Sequence, residues 1–269
     1  MNPGSQPDSA GTPYGIRTRV TGVKGRRPRP LDEGGSAADD STERTVYGLG
    51  ATSVAAMRSS VRLFSAAAAG YLIGSYPSAD LATRIATGNR DLHTEGTGNP
   101  GGMNASHVLG KKWGLLVTSA DVGKGVLAAR LGRSLAGDTG AHVASTASVI
   151  GHCHPPGRAG GKGVATSIGQ VIATFPSYLP IDMAIGVATS AIPWFKQRTR
   201  TATSVASAAW VGCGMLWWRR GLPNPGGTAP DVGLPLAAAA SSLVIAERFR
   251  AETHRVAAYN NSLEEASTS

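Results

Sequence analysis

Six long stretches of this chain carry no Asp, Glu, Lys or Arg: 63–79, 139–157, 163–181, 183–195, 201–218 and 232–246. The helices of a soluble domain pair a buried face with a charged one, so uncharged runs of this length seldom recur in it. Spanning a bilayer takes about 20 mostly apolar residues. Several runs are shorter and contain Ser, Thr and Gly, residues that let helices pack closely in lipid. The pattern predicts an all-α polytopic bundle. A glycine-rich α/β domain with buried strands and helices is the weaker alternative.

Residues 163–195 contain one charge, Asp182. As a single helix they would extend about 50 Å, beyond a hydrocarbon core of about 30 Å. The prolines of "FPSYLP", 175–180, supply a turn, which predicts two crossings. The segment 112–132 reads as a more polar span carrying Asp121 and Lys124, for about seven crossings in all. With the loop 84–112 on the cytoplasmic side, that side holds Arg84, Arg90, Lys111, Lys112, Arg158, Lys162, Lys196, Arg198, Arg200, Arg248, Arg250 and Arg255. The opposite side holds Arg130, Arg133, Arg219 and Arg220. That is the positive-inside distribution, against which only Arg58, Arg62 and a basic N-terminal stretch run.

Residues 1–56 are rich in Gly, Pro, Ser and charge and are expected to be a disordered tail, or an over-extended start, since Met57 directly precedes "RSSVRLFSAAAAGYLIG". The folded domain is expected over 57–252, with a polar tail at 253–269. The net charge of +9 suits an anionic partner, but aromatics are 6% and do not interleave with the basic residues. Nucleic acid is therefore not expected as a partner. His152-Cys153-His154 is the one metal-like cluster, and adjacent side chains rarely converge on one ion. No metal and no cofactor are expected.

Two glycine-rich loops lie on the side assigned as cytoplasmic: "GTGNPGGMN", 96–104, and "GRAGGKGVAT", 157–166. Bare backbone N–H groups before a helix make an anion nest, with Lys162 as an added positive charge; a structural turn between helices is the other reading. The second loop lacks the spacing of a P-loop. In "TSADVGKGVLAA", 118–129, Asp121 and Lys124 are three apart and share a helix face. They either neutralise each other or turn Lys124 towards an anionic substrate.

These three stretches resemble, in order, the motifs of the bacterial membrane acyl-phosphate:glycerol-3-phosphate acyltransferases, the PlsY family. The likeness runs from about Gly70 to about Ser207. "GTGNPGGMN" stands for the family's G-S-G-N-x-G-A-T-N, Asp121, Lys124 and Gly125 for D-x-x-K-G, and Gly151-His152 with Gly160 to Thr166 for the third motif. "YLIGSYPSADL" upstream and "SVASAAW", 204–210, resemble further family segments.

The resemblance implies a seven-helix enzyme of the bacterial cell membrane, its active site built from cytoplasmic loops. It would transfer a fatty acyl group from acyl phosphate to the 1-hydroxyl of glycerol 3-phosphate, giving lysophosphatidic acid and phosphate. Catalytic roles are carried to Lys124, Asn99, Thr97 and His152, and phosphate binding to Gly98, Asn104, His107, Gly160, Gly161, Lys162 and Gly163. His152 is either an orienting donor or a packed histidine.

The departures are Thr97 for serine, Gly102-Met103 for Ala-Thr, and His93 and His107 for arginines. The third motif is shorter after His152 and lacks Phe-Lys before its glycines. Ala257 replaces the asparagine of a C-terminal H-R-x-N that begins at His254-Arg255. They leave open an alternative, a catalytically impaired membrane homologue that binds anionic lipid or a protein partner.

Overall fold

The computed structural model describes the backbone at residues 37–88, 90–191 and 198–268, and side chains at 55–88, 90–189, 191 and 199–253. The chain divides into one unit at Met1–Gly48 and a second at Leu49–Ser269. Of the first, only helical backbone from residue 37 is described, and all that follows concerns the second. The tail expected at 1–36 lies outside the described residues; residues 37–56, expected to belong to it, are helical. The tail expected at 253–269 is helical to residue 268.

Among the described residues every regular element is helical, and the α/β alternative finds no strand. Helix α1 (Ala37–Gly74) stops shortly before Pro77, which cannot donate to a helical ladder. Pro77 then caps α2 (Ser78–Ala86). The first glycine loop leads into α3 (Gly102–Val108). Helix α4 (Lys111–Cys153) is broken at Ala136 and Gly137, where Gly137 takes φ 64°, giving two arms that fold back on each other. The break falls between the predicted spans 112–132 and 139–157. The second glycine loop leads into α5 (Val164–Thr174), a 3-10 turn (Pro176–Tyr178) and α6 (Leu179–Ala191). Helices α7 (Arg198–Arg220) and α8 (Gly233–Thr268) follow.

The prolines break the 163–195 run where expected, with a bend of 115° between Val164–Thr174 and Pro176–Thr189. The 11 residues of α5 reach only about 16 Å, short of a bilayer core of about 30 Å. Among the described residues no single helix is long and apolar enough to cross a membrane, and this bent pair alone meets both conditions together. Seven spans are therefore not seen helix by helix. Gly, Ser and Thr dilute the apolar runs, and breaks shorten them.

Helix α4 is central, packing on α2, α3, α5 and α8, while α7 packs on α6 and α8. Backbone-to-backbone approach holds the centre together. A Cβ on Gly70 or Gly74 of α1 would collide with the Ala144 or Ser148 carbonyl of the second arm. Gly125 of the first arm and Gly169 of α5 meet across their crossing in the same way. Small residues at four-residue spacing permit such contacts. Gln170 ties three helices: its Nε2 donates to Thr146 Oγ1 at 3.2 Å, and its Oε1 accepts from Ser241 Oγ at 2.7 Å.

The bundle has two chemically distinct ends. At one, Arg133 pairs with Asp138 at 2.9 Å and donates to the Gly227 carbonyl at 3.0 Å, joining the α4 break to the loop before α8. Both glycine loops lie towards the other.

Gly74→Val should lower thermal stability by on the order of 3 kcal/mol or more, since backbone rather than a movable side chain blocks the new methyls. Gly212→Val, where an added Cβ meets nothing within 4 Å, should leave melting in detergent close to the parent's.

Candidate active site

The first arm of α4 brings Asp121 and Lys124 to one face, both buried. Lys124 Nζ donates to the Tyr76 carbonyl at 2.6 Å, Ser78 Oγ at 2.9 Å and Asp121 Oδ1 at 2.8 Å. Ser78 Oγ donates onward to Asp121 Oδ1 at 2.7 Å. His152, near the end of the second arm, places Nδ1 3.5 Å from the same oxygen, within ion-pair reach. Of the two sequence readings, mutual neutralisation describes this arrangement, since the lysine's three protons all point to protein acceptors. Ser78, Asp121 and His152 do not form a nucleophilic triad: the carboxylate stands between the other two, so the histidine is not the serine's base.

The first glycine loop is held by Asn104. Its Oδ1 accepts from the Thr97 N–H at 2.9 Å, and its Nδ2 donates to the Leu92 and Glu95 carbonyls, each at 3.0 Å. With 1% of its surface exposed, Asn104 braces the loop from inside. Gly98 turns the chain with φ 67°. The side chains of Thr97, exposed, and Asn99, half-buried, make no hydrogen bond among the described residues. His107 is exposed on α3.

In the second loop Gly160 and Gly161 are buried. Their carbonyls accept from Arg248 Nη2 at 2.7 Å and Nε at 3.1 Å. A side chain on Gly161 would strike the His152 imidazole, so the loop lies against that ring. Gly163, with φ 81°, caps α5. Lys162 pairs with Glu252 at 2.6 Å and lies 4.9 Å from the centre of the Phe249 ring. His154 turns to Glu247 at 3.0 Å, so the two histidines flanking Cys153 serve different partners.

One cleft joins these parts. Lys124, His152, Gly160 and Gly161 line it together with the α1–α2 turn, His93, Pro100 and Arg158. Thr97, Gly98, Asn99 and Asn104 of the first loop do not line it, nor do His107, Lys162 and Gly163. Ser78, Asp80, Arg158 and Arg248 are site residues that motif reading missed. The signal for Ser78 and Asp80 was a polar "SYPSAD" directly after an apolar helix, and that for Arg158 its place inside the second glycine loop; Arg248 carried none. The side chains of His254, Arg255 and Ala257 lie outside the described residues.

The family model described as glycerol-3-phosphate acyltransferase matches residues 64–259. A Thermoanaerobacter sp. (strain X514) protein named glycerol-3-phosphate acyltransferase is 44% identical over 119 residues, 44% of this chain and 60% of that one. The chain thus spans about 60% of the length of that relative. A Dehalococcoides mccartyi protein, glycerol-3-phosphate acyltransferase 4, is 36% identical over 174 residues, 62% of this chain and 87% of that one. Among solved structures, the glycerol 3-phosphate form of PlsY (YgiH), an integral membrane glycerol 3-phosphate acyltransferase, superposes with a TM-score of 0.57 at 27% identity. It covers 73% of this chain and 92% of its own. Its lysphosphatidic acid form gives 0.54 at 26%.

Asn104→Ala removes three hydrogen bonds and leaves their partners unpaired, a loss of about 1–3 kcal/mol for each group that stays buried. Thermal melting should fall, and limited proteolysis should open the 92–101 loop before the rest of the chain. An unchanged cleavage pattern would show that the loop is held by other contacts.

Proposed function

The chain belongs to the glycerol-3-phosphate acyltransferase family, and on that footing we propose that it transfers a fatty acyl group from acyl phosphate to the 1-hydroxyl of glycerol 3-phosphate. The products are lysophosphatidic acid and inorganic phosphate. The observation that carries this reading is the single cleft lined by residues of the second and third motifs, Lys124, His152, Gly160 and Gly161.

The chemistry asks little of the protein beyond placement and charge. The acceptor's hydroxyl oxygen attacks the acyl carbonyl carbon, a C–O bond forms, and the bond to the phosphate oxygen breaks. Phosphate leaves with the electron pair and takes up the hydroxyl's proton. Phosphate is already a good leaving group, so no covalent enzyme intermediate is needed. Binding both substrates in one orientation provides most of the acceleration, and donors aimed at developing charge provide the rest.

In this reading His152 presents Nε2 towards the cleft wall at Gly161, while its Nδ1 faces Asp121. Lys124 sets the field of the cleft through its pair with Asp121. The side chains of Thr97 and Asn99 are unengaged and reach a phosphate when the first loop closes over the substrate, whereas Gly98, its N–H bonded to the Glu95 carbonyl at 3.1 Å, joins them only if that bond opens. His107 and Lys162 take part only if that closure moves them inward. The chain resides in the bacterial cell membrane, crossing it about seven times, with the glycine loops on the cytoplasmic side. The bent α5–α6 pair and the sorting of basic residues to the loop end support that topology.

Purified protein should acylate labelled glycerol 3-phosphate with acyl phosphate and fail with acyl-CoA. Transfer from acyl-CoA alone would remove the donor assignment; no transfer from either would remove the activity. Asn99→Ala should reduce the rate by more than about tenfold while leaving melting near the parent's, as expected for loss of a charge-assisted contact. Lys124→Ala should reduce both rate and stability, because Asp121 is left buried without its cation.

A further inference from the structure

We infer that Arg158 is the residue that grips a substrate phosphate in this cleft, an assignment resting on the acyl-transfer reading above. A phosphate needs donors that are not already committed. Among the cleft's cation-capable groups, Lys124 has three N–H bonds and three protein acceptors, and its side chain is 8% exposed. A phosphate could take one of those protons only by displacing Asp121, Ser78 or the Tyr76 carbonyl. Lys162 of the second loop and Arg248 of α8 do not line the cleft, and they face Glu252 and the Gly160 and Gly161 carbonyls. His93 spends its Nε2 on Asp80 at 3.0 Å.

Arg158 differs in each respect. Its side chain is 27% exposed and lines the cleft. Its Nη1 donates to Asp80 Oδ2 at 2.9 Å, and its Nη2 donates to the Ser75 carbonyl. A guanidinium has five N–H donors in a planar fork, so three are left without an acceptor among the described residues. The two bonds that are made fix the plane of the fork. Asp80 is itself held on its other oxygen by His93, which keeps the carboxylate from swinging away. The guanidinium is thus oriented in advance, and planar forks suit the paired oxygens of a phosphate. The two substrates each carry a phosphate, and the same fork chemistry recognises either one.

The rival role for Arg158 is a staple between the second loop and the α1–α2 turn. The kinetics of Arg158→Gln, Arg158→Lys and Asp80→Asn, in the full chain in detergent micelles, separate the two. Asp80→Asn weakens the staple but keeps the fork. Arg158→Gln should raise KM at least about tenfold for one phosphate substrate, and which KM rises identifies the phosphate held: glycerol 3-phosphate or acyl phosphate. Arg158→Lys should fall between Gln and the parent, and Asp80→Asn, which loosens the orientation of the fork but keeps its charge and donors, should raise that KM clearly less than Arg158→Gln does. If Arg158→Gln and Asp80→Asn change the kinetics alike, Arg158 is a staple and the inference is wrong. Should Arg158→Gln not fold, an unchanged KM in Arg158→Lys overturns it equally. A parent with no acyl transfer would sink the enzymatic reading instead. Isothermal titration with inorganic phosphate then decides for Arg158: binding by the parent that weakens about tenfold in Arg158→Gln supports the fork, and equal or absent binding in both refutes it.

Discussion

The buried pair of Asp121 and Lys124 is the constraint on which the rest of this molecule is arranged. Removing two charges from water is expensive, and their attraction repays this only when every remaining donor and acceptor is also met. Here the ammonium reaches back to the α1–α2 turn through Tyr76 and Ser78, and the carboxylate draws in Ser78 and His152. Satisfying one ion pair thus fixes three separate chain segments against each other. The turn must lie where its carbonyl meets Nζ, and the second arm of α4 must end where its imidazole meets Oδ1. The cleft is the space left between those segments.

Such a junction requires helices closer together than ordinary side chains permit. Gly125 directly follows Lys124 and lets α5 cross at backbone contact, which brings the second glycine loop up to His152. Gly70 and Gly74 do the same for α1 against the second arm, and so deliver Tyr76 and Ser78 to the lysine. In a low-dielectric setting, packing and hydrogen bonds carry association that the hydrophobic effect cannot. Gly70, Gly74, Gly125 and Gly169 are therefore structural in the helices, whereas Gly160 and Gly161 shape the cleft.

Much of this was legible in the sequence because it depends on local spacing. An i,i+3 charge pair on a helix reports one face, and prolines at 176 and 180 report a break. What the sequence could not show depends on residues far apart in the chain. Asn104 looked like a phosphate ligand because it closes a glycine-rich motif, yet three backbone groups of the same loop occupy its amide. Lys162 looked like a free charge because Glu252 lies on another helix. The expected number of spans was set by counting uncharged runs. Run length carries no information on a bend of 115° or on helices too mixed to pass as spans.

The distribution of charge in the cleft follows from the same buried pair. Lys124 and Asp121 cancel at close range, so their joint field on a ligand is that of a dipole rather than of a cation. Asp80 then sets the balance at the rim, because it sits between Arg158 and His93. The charged side chains that line the cleft, Lys124, Arg158 and Asp80, sum to zero together with Asp121 behind Lys124, and a phosphate would be held by directed donors rather than by net attraction. A guanidinium keeps its charge throughout the physiological range. The site therefore offers a phosphate one fixed, permanently charged fork beside a pair of charges that cancel each other.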